Sequence, residues 1–305
     1  MLLAIDIGNT NIKLGLFKGN SLRKVSISLA DCASFGEKIG EFIKLHIDSD
    51  PNIWIPAFAG MTEKRQFTLG MTEKKQSNPE ITEKRQSNPD LSFPRKRESS
   101  STSIEAVMVS SVVPDMTGKI CSIISPYFAG QPHIVSHSTN SGLSFSVPYP
   151  QHVGADRITA ATWAYHHFGG PAAVIDFGTA TTISVVGQGG QFIGGAIIPG
   201  LRTMALAFNE HTAALPLVEL EAPEGALGKD TRSAIISGIV YGTAGAVSRI
   251  IYEIQREIGY NINIAATGGG LALIEICLER VDVVEPDLLL LGLRMIYERM
   301  KQLGC

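Results

Sequence analysis

The sequence predicts an α/β protein of two domains, each organised around a buried strand that ends in one aspartate and turns back sharply into a second strand. Two stretches carry this reading. Residues 2–7 are an apolar run without helical spacing, short enough for a sheet interior, and residues 12–17 resume with strand-like alternation after a polar turn. Far downstream Ala173-Val174-Ile175-Asp176-Phe177-Gly178-Thr179-Ala180-Thr181-Thr182 repeats the arrangement. Length adds a third observation, since 305 residues suggest about two domains at roughly 150 residues each.

The first turn has the chemistry of a phosphate loop. Gly8 lets an anion approach the backbone, Asn9 tolerates unusual dihedrals, and Thr10 offers a hydroxyl beside its own N–H. Asp6 is suited to a magnesium ion held through water, and Lys13 to neutralising phosphate charge. Each Asp-x-Gly leads into a strand rather than a helix, so neither is a P-loop or a dinucleotide-binding fingerprint.

A third strand is expected over 22–29, followed by a helix capped by Ser34 and Glu37 with Phe35, Ile39, Phe42, Ile43 and Ile47 on one face. From about 50 to 103 the composition changes. Thr62-Glu63-Lys64-Arg65-Gln66 recurs every ten residues, at 72 and 82, in a segment with nine basic and seven acidic residues and few apolar ones. It reads as a disordered insertion in a surface loop. The globular pattern resumes with a strand over 106–113, whose Ser110 and Ser111 either face a nucleotide or finish the strand. Asp115 should cap a helix to about 124, and 133–136 should form a further strand.

Gly154-Ala155-Asp156-Arg157 then opens a helix reaching about Phe168. Backbone N–H groups at such a terminus favour an anion, Arg157 suits a carboxylate clamp, and Asp156 can accept a proton from a bound hydroxyl. An ordinary surface Asp-Arg pair would look the same. Beyond the second Asp-x-Gly, strands are expected over 181–186 and 191–198, a helix after Pro199-Gly200, and a long apolar helix over 233–258. Gly238, Gly242 and Gly245 on that helix read as packing positions. A strand over 261–267 should end in Gly268-Gly269-Gly270, and a final helix should be capped by Glu285-Pro286-Asp287.

The paired Asp-x-Gly hairpins resemble the actin, Hsp70 and sugar kinase superfamily, in which two ribonuclease H-like domains clasp a nucleotide. Five motifs in order, Asp6-x-Gly-Asn-Thr10, Gly154-Ala-Asp-Arg157, Asp176-x-Gly-Thr-Ala-Thr-Thr182, Gly194-Gly-Ala-Ile-Ile-Pro-Gly-Leu201 and Thr231-Arg-Ser-Ala-Ile-Ile-Ser-Gly238, are similar to those of type III pantothenate kinases. The resemblance implies domains over 1–148, carrying the insertion, and 149–305. It implies phosphorylation of pantothenate by ATP, the first step of coenzyme A biosynthesis. Asp156 would accept the proton, and Gly154, Ala155, Asp156, Arg157 and Thr231 would bind pantothenate, Thr231 from the partner subunit of a homodimer. The loop Asp6, Ile7, Gly8, Asn9, Thr10, Asn11, Ile12, Lys13 and, across from it, Thr179 would hold ATP. Asp176 would bind a monovalent cation, potassium or ammonium, and Asp6 Mg²⁺ through water. One departure stands out: the family's Tyr and Asn-Pro shortly before Gly-Ala-Asp-Arg align with Val147 and Tyr149-Pro150 here. Another small-alcohol kinase, or a nucleotide-binding regulator of the same fold, would share the Asp-x-Gly pair.

Composition narrows the class further. A net charge of -3 gives no nucleic-acid footprint. Cys32, Cys121, Cys277 and Cys305 are scattered, which indicates reduced thiols rather than a zinc site or disulfide framework. With no basic leader and no run of roughly 18 apolar residues, a cytoplasmic protein without a membrane span is expected.

Overall fold

The computed structural model describes residues 1–31, 34–47 and 103–304. The repeat insertion up to 102, and Cys32 and Cys305, lie outside the described residues.

Strands β1 (Leu2–Ile7), β2 (Asn11–Lys18) and β3 (Ser21–Ser28) form an antiparallel meander. Helix α1 (Phe35–Ile47) follows, then β4 (Ala106–Ser111), α2 (Pro114–Ile124) and the short β5 (His133–Ile134). β4 pairs parallel with β1 and β5 with β4, so the first sheet has the order β3-β2-β1-β4-β5. The capping expected of Asp115 is not formed. The N-cap of α2 is Val113, and Pro114, whose fixed φ suits the first helical position, places Asp115 in the first turn instead.

The second sheet repeats this order. Its strands are β6 (Ser144–Phe145), β7 (Ala172–Phe177), β8 (Ala180–Val186), β9 (Gln191–Pro199), β10 (Asn263–Thr267) and β11 (Val283–Val284), arranged β11-β10-β7-β8-β9-β6. Apart from β6, each strand has a counterpart: β7 to β9 repeat β1 to β3, and β10 and β11 repeat β4 and β5. Among the remaining elements, α3 (Ala155–Phe168) precedes β7, while α4 (Leu201–His211) and α5 (Thr231–Ile258) follow β9. The short α6 (Leu271–Ile274) follows β10, and α7 (Leu288–Gln302) is last among the described helices. This is the actin and sugar kinase architecture of two ribonuclease H-like units.

Strand alternation decides where the chemistry points. In β1, Leu3, Ile5 and Ile7 pack against Ile39 and Ile43 of α1 and Ile120 and Ile124 of α2. Leu2 and Ala4 point the other way, against Ile158 of α3 and Leu290, Leu293 and Ile296 of α7. Asp6, two residues beyond Ala4, shares that second face. In β7, Ala173, Ile175 and Phe177 pack against α4 and α5, whereas Ala172 and Val174 meet Ala160, Trp163 and Ala164 of α3 and Leu288 and Leu289 of α7. Asp176 follows Val174 at the same spacing. Both aspartates therefore face the layer made by α3 and α7.

Two elements cross the sequence boundary expected at 148. β6 pairs parallel with β9 in the second sheet, and α7 packs on the first. The side chain of Asp287 does not cap α7; both its oxygens bond Lys24 Nζ on β3, at 2.7 and 2.5 Å.

Helix α5 is long, apolar and covered on one side only. Its 28 residues include an 18-residue window of mean hydropathy 1.5, long and apolar enough by length and composition to cross a membrane, with 50% of that window buried inside the protein. Ile235, Ile236, Ile239, Val240, Ala244, Val247 and Ile251 supply that buried side as core of the second sheet's outer face. Gly238, Gly242 and Gly245 lie on the opposite, exposed side with open space above them, so they do not serve packing within the chain.

Candidate active site

The two Asp-x-Gly turns are built alike. Gly8 N–H donates to Asn11 O at 3.0 Å and Gly178 N–H to Ala180 O at 3.2 Å, closing each hairpin tightly. Ile7 and Ile12, flanking the first turn, are buried at 1% and 0% exposure, so their side chains belong to the core and offer nothing to a ligand. Asn9, Thr10 and Asn11 are exposed between them. The tips meet: Thr10 Oγ1 and Thr179 Oγ1 lie 2.8 Å apart.

Behind the tips stand the charged groups. Asp6 pairs in register with Lys13 on β2 and with Ser110 on β4. Burial pushes the Asp6 carboxyl up to about 7; Lys13 opposes that shift, while the charges of Asp176 and Asp156 add to it. Asp176 is raised to about 6 by burial, again opposed by Lys13 and reinforced by Asp156. Three carboxylates and one ammonium thus share one field. Such a cluster favours a bound cation, because a positive ion relieves both the desolvation and the mutual repulsion. Among the described residues no three His, Cys, Asp or Glu side chains converge closely enough to hold a metal on their own.

Two buried hydroxyls flank the cluster symmetrically. Ser110 Oγ beside Asp6, and Thr267 Oγ1 on β10 in register with Asp176, have no hydrogen-bond partner of good geometry. Both are at most 1% exposed. Gly268 is required next to the second: with φ at +104°, a Cβ there would stand 2.5 Å from Asp176 Oδ1. Ser110 stands in register with Asp6 across β1 and β4, a neighbourhood that the sequence alone does not display.

The third carboxylate sits at the start of α3. Gly154 is the N-cap, and a side chain there would collide with Asp156 Oδ1 at 2.5 Å. Burial raises the Asp156 carboxyl above its ordinary value, against the opposing pull of the Arg157 N–H, which donates to Oδ1 at 2.7 Å, and of the Arg157 charge. The Arg157 side chain reaches into the second sheet. Nε donates to Ser184 Oγ at 3.0 Å, Nη2 to Ile183 O at 3.2 Å and Gly194 O at 3.4 Å, and the guanidinium lies 5.3 Å over the Phe192 ring. Gly195 makes room for this, at φ +145° and with Arg157 Nη2 only 3.1 Å from where its Cβ would lie. Arg157 therefore fastens the start of α3, and with it Asp156, to β8 and β9.

In the preceding loop, Val147 packs with Phe192 and Ala161 in a small core. Tyr149 is 64% exposed and stacks on His152 at 5.6 Å. Thr231 is the exposed first residue of α5. That helix is capped by Asp230, whose side chain accepts from Ser233 N–H at 2.8 Å, so it begins two residues earlier than its apolar pattern suggests.

Proteins of similar sequence point to one family. A model of type III pantothenate kinases matches residues 59–253. A type III pantothenate kinase from Agathobacter rectalis is 33% identical over 305 residues, covering 100% of this chain and 99% of the relative. The chain belongs to the type III pantothenate kinase family. A further type III pantothenate kinase, from Thermomicrobium roseum, is 34% identical over 300 residues, covering 98% of each chain. Among solved structures, a Campylobacter jejuni protein assigned to the Baf family of transcriptional activators aligns with a TM-score of 0.51 at 14% identity, covering 99% of this chain and 98% of that one, a likeness of fold.

Proposed function

We propose that this pantothenate kinase transfers the γ-phosphoryl group of ATP to the primary hydroxyl of pantothenate, giving 4′-phosphopantothenate at the entry to coenzyme A biosynthesis. The observation that carries the reading is that Asp6 and Asp176, at the two hairpins, both feel the charges of Lys13 and Asp156, in a chain of this family.

The loop from Asp6 to Lys13 holds the phosphates of ATP, with Thr10 and Thr179 bracketing them from the two tips and Lys13 matching their charge. Pantothenate enters beside Gly154 and Ala155 with its hydroxyl on Asp156. As the new O–P bond forms and the bond to the β-phosphate oxygen breaks, the hydroxyl proton passes to Asp156 Oδ. Phosphoryl transfer runs through a loose transition state, so Asp156 orients the hydroxyl first and takes the proton late. Burial raises its basicity for that task. Asp6, with Ser110 beside it, would hold Mg²⁺ through water, and Asp176, with Thr267, a monovalent cation; together these would shield phosphate charge as it redistributes.

A homodimer fits the outward stripe of α5. Gly238, Tyr241, Gly242, Gly245 and Tyr252 are exposed along one side of the helix that begins with Thr231. Glycines without cover allow a second helix to approach closely, which would bring Thr231 to the partner's acceptor site. The domain division near 148 belongs to the same reading, with α7 returning to the first sheet, and so does a cytoplasmic location.

The test is ADP release by the purified full chain with ATP and Mg²⁺, with and without pantothenate, in potassium and in sodium buffer. Pantothenate-dependent ADP, enhanced by potassium, is expected. Nucleotide binding without turnover would instead make the chain a regulator on a kinase fold.

A further inference from the structure

The loop carrying Thr179 is held from behind by a helix with no other part in the chemistry. Thr203, in the first turn of α4, donates its hydroxyl to Thr179 O at 2.6 Å, and Gly200 N–H donates to the same oxygen at 3.0 Å. The approach is so close that a Cβ on Gly200 would lie 2.3 Å from Gly178 O and 2.4 Å from Thr179 O. The opposite wall is equally tight: Gly270 N–H donates to Phe177 O at 2.9 Å, and a Cβ at 270 would meet Leu201 Cδ1 at 2.8 Å. Helix α4 is itself fixed, with Leu201 and Ala205 each 2% exposed in the core. Thr203 is exposed, so its hydroxyl is not needed to bury that helix.

These bonds form a line from α4 through Thr179 to the other domain, since the Thr179 hydroxyl meets Thr10 across the cleft. We infer that Thr203 is a positioning residue for phosphoryl transfer: by bonding the Thr179 carbonyl it sets the direction in which the Thr179 hydroxyl is offered to the nucleotide phosphates. The inference rests on the reading of Thr179 as an ATP contact. Without the bond the loop keeps Gly200 N–H as an anchor, but a single donor leaves the peptide free to tilt, which moves the hydroxyl beyond it.

Thr203→Val removes the hydroxyl while keeping shape, and Thr203→Ser keeps the hydroxyl. Calorimetric titration of each full-length variant with Mg·ATP, alongside KM for both substrates, separates positioning from packing. Thr203→Val should weaken ATP binding and raise its KM by about three- to tenfold, the range for one lost hydrogen bond, with the pantothenate KM unchanged. Thr203→Ser should restore ATP affinity to within about twofold. In a Thr179→Ala background the same Val substitution should have no further effect, since residues acting through one another are not additive. Parental ATP affinity in Thr203→Val, or an undiminished loss in the Thr179→Ala background, would overturn the assignment of Thr203 while leaving ATP binding itself intact. Wild-type protein that binds no Mg·ATP would overturn the underlying reading of the loop as well.

Discussion

Asp156 is the residue on which the proposed chemistry turns, and its surroundings state what a substitution should do. It is held by the Arg157 N–H and by the anchoring of Arg157 to β8 and β9, so Asp156→Asn keeps the shape and loses the proton acceptor. A fall in kcat of about 10²- to 10⁴-fold is expected, with ATP affinity retained; turnover near wild type in a steady-state assay would remove Asp156 from the role. Asp6 makes a prediction about stability. Its carboxyl titrates near 7 when folded and near 3.9 when unfolded, so between those values the folded chain keeps a proton the unfolded chain has released. Stability in the absence of Mg²⁺ and nucleotide should therefore fall as pH rises from about 4 to 7, and Asp176 adds to the trend over the lower part of that range. Asp6→Asn should flatten the decline, gaining on the order of 1–3 kcal/mol over wild type near pH 8. Urea unfolding at pH 5 and pH 8 checks this, and equal slopes for the two proteins would show that Asp6 is not held against its charge. At this scale the sequence displays types and spacing but not direction. Asp6 and Asp176 are visible as isolated carboxylates at the ends of apolar runs and Asp156 at the start of a helix, whereas Arg157 looks like a clamp until Ser184 and the Gly194 carbonyl are seen to occupy it.

Among elements, α5 carries the clearest consequence. Its N-cap is a reciprocal pair in which Asp230 accepts from Ser233 N–H and Ser233 Oγ accepts from Asp230 N–H at 3.1 Å. Thr231 sits directly inside that cap. Asp230→Ala should lower stability by removing the cap, and because the frayed turn carries Thr231, the pantothenate KM should rise while the ATP KM holds. A loss of stability with both KM values unchanged would separate Thr231 from the acceptor site. The same helix exposes its glycines, so on the proposed homodimer reading Gly242→Arg should yield a monomer in light scattering after gel filtration, and a persistent dimer would place the interface elsewhere. Long elements were legible from their apolar patterns: β1 and β7 are continuous apolar runs, β2 alternates, and α5 follows its helical apolar spacing. The two-residue strands β5, β6 and β11 are too short to carry a period. The caps of α2, α5 and α7 are one- or two-residue events, in which Pro114 and the Lys24 partner of Asp287 overrode the simplest reading.

At the scale of the whole molecule, the duplication was legible from two Asp-x-Gly turns, because a motif repeated at strand ends implies repeated sheets, while the way the halves interlock was not. α7 follows the second sheet in sequence yet packs on β1 and β4 of the first, with its partners on β1 at the far end of the sequence, a contact that no local pattern encodes. That interlocking leads to a prediction about the repeat insertion. On one side of it α1 packs on the first sheet through Ile39 and Ile43; on the other, β4 pairs with β1 from Leu2 opposite Ala106 onward. The return point is fixed by the N-terminus, since the Met1 ammonium bonds Ser103 O and Glu105 Oε1, each at 3.0 Å, and Glu105 N–H bonds Met1 O at 2.8 Å. All these contacts use residues outside 52–101, and so does each residue assigned to the site. Replacing 52–101 by a short Gly-Ser linker should leave kcat and both KM values within about twofold, and shortening the loop should lower its closure entropy by only about 1–2 kcal/mol. Steady-state kinetics and thermal unfolding of the deletion variant test this together. Lost activity with an unchanged melting temperature would give the repeats a part in the reaction, whereas lost stability would mean that the pairing of β1 with β4 depends on them.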